Sequence, residues 1–135
     1  MKLVVDTNIL FSFFWENSLT KELIKSNRFE LICPKKAFEE IGKYKKEIIK
    51  KTGIKEKEFD FYLKEIKKIV KIIDKREFSD FYEKAEEISP DKGDVDFLAL
   101  SLKEDCPLWS NDSKLKEQKE IHVLNTEDII DVLFD

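Results

Sequence analysis

Short, fully apolar runs alternate along this chain with longer stretches whose apolar residues recur every three or four positions. Leu3-Val4-Val5 is a run of the first kind, and Lys2–Val5 therefore reads as an interior strand of a parallel sheet, buried on both faces. Glu30–Cys33, ended by Pro34, is a second strand. Ile72-Ile73 is a shorter one, and Pro107–Ser110 and Ile121–Leu124 complete the set. The helical period predicts helices over Ile9–Phe14, Thr20–Lys25, Lys35–Lys50, Glu56–Lys71, Glu77–Ile88, Asp94–Lys103 and Thr126–Phe134. Thr52-Gly53 splits the two long basic helices, Ser89-Pro90 closes the fifth helix, and Thr126 is placed to cap the last. Strands alternating with helices predict an α/β sandwich with a parallel sheet. The carboxyl ends of its strands then line up along one edge, which is where such folds place ligands.

Polar residues interrupt the apolar pattern at that edge. Asp6-Thr7-Asn8 stands directly beyond the first strand, and helix capping is the simplest account of an isolated Asp-Thr-Asn. A chemical role depends on further carboxylates converging on the same point. Asp112, in "CPLWSNDSKL", follows the strand Pro107–Ser110, although it also suits the N-cap of a helix through Ser113-Lys114-Leu115. On the helix Lys35–Lys50, residues Ala37, Ile41, Tyr44 and Ile48 form one stripe. Glu40 borders that stripe and is the candidate half-buried acid, whereas Glu39 points away from it. The stretch "SPDKGDVDFLALSL" brings Asp91, Asp94 and Asp96 to the start of an apolar helix. Peptide dipoles favour negative charge there, but capping explains only one of the three. Asp94 shares a face with Leu98 and Ser101 and is the inward acid; Asp96, roughly 200° further round, is a possible auxiliary.

Composition and charge change this picture in three ways. First, 135 residues with 41% hydrophobic content suit one domain, spanning 1–135, with a sizeable core. Second, the longest apolar stretch, Ile9 to Trp15, is too short for a bilayer, and Asp6 breaks any signal-like region. A cytoplasmic protein without membrane contact is expected. Cys33, Cys106 and the lone His122 have no zinc-ligand spacing. Third, the net charge of −4 hides an asymmetry, because Lys43 to Arg76 holds thirteen basic against six acidic residues, a local +7 that leaves −11 elsewhere. A basic lobe beside an acidic remainder suits a polyanion backbone on one side and metal cations on the other. A solvated lysine face is the simpler account. The run Phe11, Phe13, Phe14 and Trp15 exceeds what one helix face needs; core packing accounts for it most simply, and a homodimer contact is the alternative.

Taken in order, "VVDTNIL", "PKKAFEEI", "DVDFLALSL" and "PLWSNDSKL" resemble the PIN domain family of metal-dependent ribonucleases, which includes VapC-type toxins. The resemblance covers nearly the whole chain. It implies a three-layer sandwich, a central parallel β-sheet flanked by helices. It places the family's acidic quartet on Asp6, Glu40, Asp94 and Asp112, with Thr7, Asn8 and Ser110 as supporting groups, the adjacent acids Glu39 and Asp96 leaving two of the four assignments open to a neighbour. It also implies RNA as substrate, Mg²⁺ or Mn²⁺ as cofactor and an antitoxin protein as partner. Two features depart from the pattern: the neighbouring acids Glu39 and Asp96, and the Lys-rich helical pair between Lys43 and Lys71. Phosphodiester cleavage needs an activated water and stabilised phosphoryl charge, both of which hard oxygen ligands supply through a divalent ion. Asp6 and Asp94 are then the direct ligands. Asp112 and Glu40 hold surrounding waters or a second ion, and Asn8 and Ser110 fix carboxylate rotamers. Lys43, Lys46, Lys50 and Lys51, following Glu40 on the same predicted helix, are the nearest candidates for RNA phosphates. A housekeeping RNA-processing nuclease and a catalytically silent PIN-like binding module are the alternatives, and the filled quartet weighs against the second.

Overall fold

β1 (Lys2–Val5) is the middle strand of the protein, and its Leu3, Val4 and Val5 are completely buried. The computed structural model describes residues 1–16 and 18–134; Asn17 and Asp135, the last residue of the expected 1–135 span, lie outside them. β2 (Glu30–Pro34) and β4 (Leu108–Trp109) flank β1, while β3 (Val70–Ile73) and β5 (Val123–Leu124) form the edges. The five-stranded sheet is parallel throughout, in the order β3-β2-β1-β4-β5. Leu3 lies opposite Leu31 on one side of β1, and Val5 opposite Trp109 on the other. Parallel strands need crossover connections, and helices supply them, giving the expected α/β sandwich.

The helices are α1 (Thr7–Phe11), α2 (Leu19–Lys25), α3 (Lys35–Lys43), α4 (Lys45–Thr52), α5 (Glu56–Ile69), α6 (Tyr82–Ile88), α7 (Val95–Glu104) and α8 (Thr126–Phe134). Several bounds differ from the sequence reading, each for a local reason. The helix expected over Ile9–Phe14 begins at Thr7 and tightens into a 3₁₀ turn at Ser12–Phe14, where the Ser12 hydroxyl donates to the Ile9 carbonyl. The long helix expected over Lys35–Lys50 is two helices. Tyr44 separates them at φ −98°, ψ 13°, two residues after Gly42, a weak helix former. Gly53 ends α4 at φ 75°, a left-handed position that suits glycine. α5 stops at Ile69 because Val70-Lys71-Ile72-Ile73 is claimed by pairing with β2. Only Tyr82–Ile88 of the expected Glu77–Ile88 is α-helical, 3₁₀ turns at Lys75–Glu77 and Ser79–Phe81 preceding it. Thr126 is not the cap of α8. Asn125 and Asp128 cap it reciprocally, at 2.8 and 3.0 Å, and the Thr126 hydroxyl instead accepts the Trp109 indole N–H at 3.2 Å.

Aromatic packing fixes the segment that follows β1. Phe14 stacks on Phe59 of α5 with centroids 4.6 Å apart and planes 13° from parallel, and Phe13 meets Tyr62 edge-on at 6.1 Å. Phe13 and Phe14 are therefore core residues and are not available for a dimer contact. Burial pushes the Cys33 thiol up to about 12, making it an inert core residue. Among the described residues no helix is long and apolar enough to cross a membrane. Removing the Phe14 ring should cost about 3–5 kcal/mol. Urea denaturation of Phe14→Ala checks this against Phe61→Ala, whose side chain is exposed and whose cost should stay within about 0.5 kcal/mol.

Candidate active site

The strand order reverses at β1: the chain moves outward through β2 and β3, then returns to the other side of β1 for β4 and β5. Such a reversal opens a crevice at the carboxyl ends of β1 and β4. Asp6 stands on one side of it and Ser110-Asn111-Asp112 on the other. The Asp6 amide donates to the Trp109 carbonyl at 3.0 Å, so the β1–β4 ladder itself sets its place. Asp6 occupies the N-cap position of α1, but contrary to expectation its side chain makes no capping bond. The Ser110 hydroxyl donates to Asp6 Oδ2 at 2.6 Å and accepts the Asp112 amide N–H at 3.1 Å, tying both acids to one hinge. Burial raises the Asp6 pKa and the Asp112 charge adds to this, against the lowering effect of the Ser110 bond.

Asp112 is half-buried and does cap, accepting the Lys114 amide at 3.0 Å at the start of the 3₁₀ turn Ser113–Glu117. Asp94 does not cap: Asp91 takes the Gly93 amide at 2.7 Å, while Asp94 precedes α7 with no capping bond from its side chain. The Asp94 carboxyl is pushed up to about 6, first by burial and then by the charges of Asp6 and Asp112. Asp94 therefore faces both of the other acids across the crevice. Glu40 is half-buried on α3 and Glu39 is exposed. Thr7 Oγ1 donates to Glu40 Oε1 at 3.3 Å. Burial raises the Glu40 pKa, Asp6 and Asp96 add to it, and Lys36 opposes it.

Asp96 is 8% exposed and accepts the Tyr82 hydroxyl at 2.9 Å. Its charge adds to the raised pKa of Glu40. Asn8 is exposed on the first turn of α1. Of the four lysines, Lys43 ends α3, whereas Lys46, Lys50 and Lys51 lie on α4, a different helix from Glu40. Lys51 pairs with Glu47 at 2.9 Å. The sequence reading missed Lys36, whose Nζ donates to the Gly93 carbonyl at 3.1 Å and whose charge lowers the pKa of both Glu40 and Asp94. Its position four residues before Glu40 was the available signal. Tyr82 had none, since its place depends on how α6 packs against α7.

As placed, no three His, Cys, Asp or Glu side chains among the described residues form a ready-made metal cage. The donor chemistry nevertheless fits a hard divalent cation. Asp6, Asp94 and Asp112 offer carboxylate oxygens, with the Ser110 hydroxyl bonded to Asp6 and the Lys36 charge acting on Asp94, and Mg²⁺ keeps several waters while using one or two carboxylates directly.

A parallel sheet of this order with acids gathered at its switch point defines a class, and the chain belongs to it: it is a member of the PIN domain family, whose sequence profile matches residues 4–128. Among solved structures, a chain in the crystal structure of VapBC2 from Rickettsia felis bound to a DNA fragment from their promoter shares the fold, with a TM-score of 0.66 at 14% identity, covering 93% of this chain and 98% of that one. No curated protein sequence matches this one significantly.

The raised Asp94 pKa has a consequence for stability. Its folded value, about 6, exceeds the ordinary 3.8, so the native state binds this proton more tightly than the unfolded chain. The penalty for ionising Asp94 is absent below the ordinary value and grows as pH rises through about 6. Melting temperatures measured in EDTA across this range should show the parent losing stability relative to Asp94→Asn as pH rises. A constant difference would mean that Asp94 is not held in the crevice as described.

Proposed function

We propose that this protein is an endoribonuclease of the VapC type that hydrolyses RNA phosphodiester bonds with Mg²⁺ or Mn²⁺ at the β1–β4 crevice. The observation that supports it most is the placement of Asp6 and Asp112 at the switch point of a PIN fold, tied together through Ser110, with Asp94 facing them. When bound, the cation would polarise the phosphoryl oxygens and lower the pKa of water. Asp6 and Asp94 would be its direct ligands, with Asp112 beside them. Ser110 holds the Asp6 carboxylate by hydrogen bond and so fixes the rotamer that would offer its oxygens to the ion. Glu40, oriented by Thr7, orders water at the rim. Lys36 offsets the carboxylate charge on the α3 side and leaves the crevice open to an anionic substrate. Lys43, Lys46, Lys50 and Lys51 present exposed charge beyond Glu40, where they would meet RNA phosphates. A toxin role with an antitoxin partner is carried over from the likeness to VapBC2.

Cleavage of defined RNAs with Mg²⁺, Mn²⁺ or EDTA tests this reading. Asp6→Asn and Asp94→Asn should each lose more than about 100-fold in rate, and Ser110→Ala about 10–100-fold, the range for removing a group that orients a ligand. If both Asn variants cut RNA as the parent does, or if EDTA leaves cleavage unchanged, the proposal is wrong.

A further inference from the structure

The break at Tyr44 builds a second feature beside the acidic cluster. Between α1 and the α3–α4 corner lies a cleft of about 360 Å³, lined by Phe11, Trp15 and Tyr44 with Asn8, Glu40 and Lys51. The other tryptophan, Trp109, and the neighbouring Phe13 and Phe14 are fully buried, whereas Trp15 and Tyr44 are each 38% exposed. Phe11 meets Tyr44 edge-on at 6.1 Å and 86°, which holds the tyrosine ring in place. Glu40 belongs both to this cleft and to the acidic site, so the two are continuous.

We propose that this cleft is a nucleobase subsite, in which one RNA base next to the cut phosphodiester stacks on Tyr44 and Trp15. The assignment rests on the ribonuclease reading above. Three observations favour a base over another occupant. Aromatic faces left open beside a phosphodiester-cleaving site are what single-stranded nucleic acid stacks upon. Lys43 Nζ stands over the Tyr44 ring, 5.6 Å from its centroid, and Lys51 lines the cleft in a pair with Glu47 at 2.9 Å, so cationic groups flank the place a base would take. Asn8 supplies an amide that both donates and accepts, as a base edge requires.

Binding of short RNAs in EDTA, with an abasic ribose moved along the strand, separates this subsite from catalysis. Tyr44→Leu and Trp15→Leu should each weaken binding of intact RNA about tenfold. Tyr44→Phe, which keeps the ring, should bind as the parent does, and melting temperatures identify any variant that merely fails to fold. At one abasic position the parent should lose a similar factor, and the Leu variants should lose nothing more. If the Leu variants bind intact RNA like the parent, or lose equally on every abasic strand, there is no base subsite. Failure of the two readings is distinguishable: a parent that binds as described yet never cuts RNA would sink the nuclease and leave the subsite, while normal Asp94-dependent cleavage with unchanged binding would do the reverse.

Discussion

Ionised carboxylates repel one another, and burying them raises the cost. The crevice between β1 and β4 imposes both penalties on Asp6 and Asp94, with Asp112 adding its charge to each, and much of the surrounding structure can be understood as what keeps them there. Asp6 is only 7% exposed and immediately follows three fully buried strand residues. Its backbone cannot retreat from the site without breaking the β1–β4 ladder. A protein selected only for stability would not need such groups, so their presence together points to a use for concentrated negative charge.

Neighbouring polar groups limit that cost without removing it. Ser110 serves Asp6 and Asp112 together, Thr7 serves Glu40, and Lys36 reaches from α3 to the Gly93 carbonyl beside Asp94. Asp96 is drawn off by Tyr82. The result is an arrangement in which some acids are satisfied by hydrogen bonds while Asp94, the one pushed up to about 6, has burial and like charges as the main influences on it. The placement rests in turn on the apolar frame: Phe13 and Phe14 anchor the segment after α1 against α5, and the buried Trp109 anchors the end of β4 through Thr126.

What could be read from the sequence was whatever depends on neighbouring residues. The apolar runs of β1 and β2 and the acids that follow β1 and β4 are local patterns, and the alternation of elements dictates a parallel sheet. The relation between Asp6 and Ser110 was less accessible, because 104 residues separate them and only the β1–β4 pairing brings them together. Helix ends were legible where a Gly or Pro marks them, as at Gly53, and illegible at Tyr44, where the helical stripe continues across a break in the backbone. The Asn125–Asp128 cap was overlooked because Thr126 offers an equally good capping side chain one residue later. Lys36 was passed over as one more lysine in a Lys-rich chain; its role depends on the approach of Gly93, which the sequence pattern does not encode.

The central claim is that the crevice acids exist to hold a divalent cation. Anomalous diffraction from crystals soaked in Mn²⁺ tests it most directly. The account predicts a manganese peak at the carboxyl ends of β1 and β4, in contact with Asp6 and Asp94, and its loss in Asp94→Asn crystals. Manganese bound only elsewhere on the surface, with the crevice empty at saturating Mn²⁺, would contradict it.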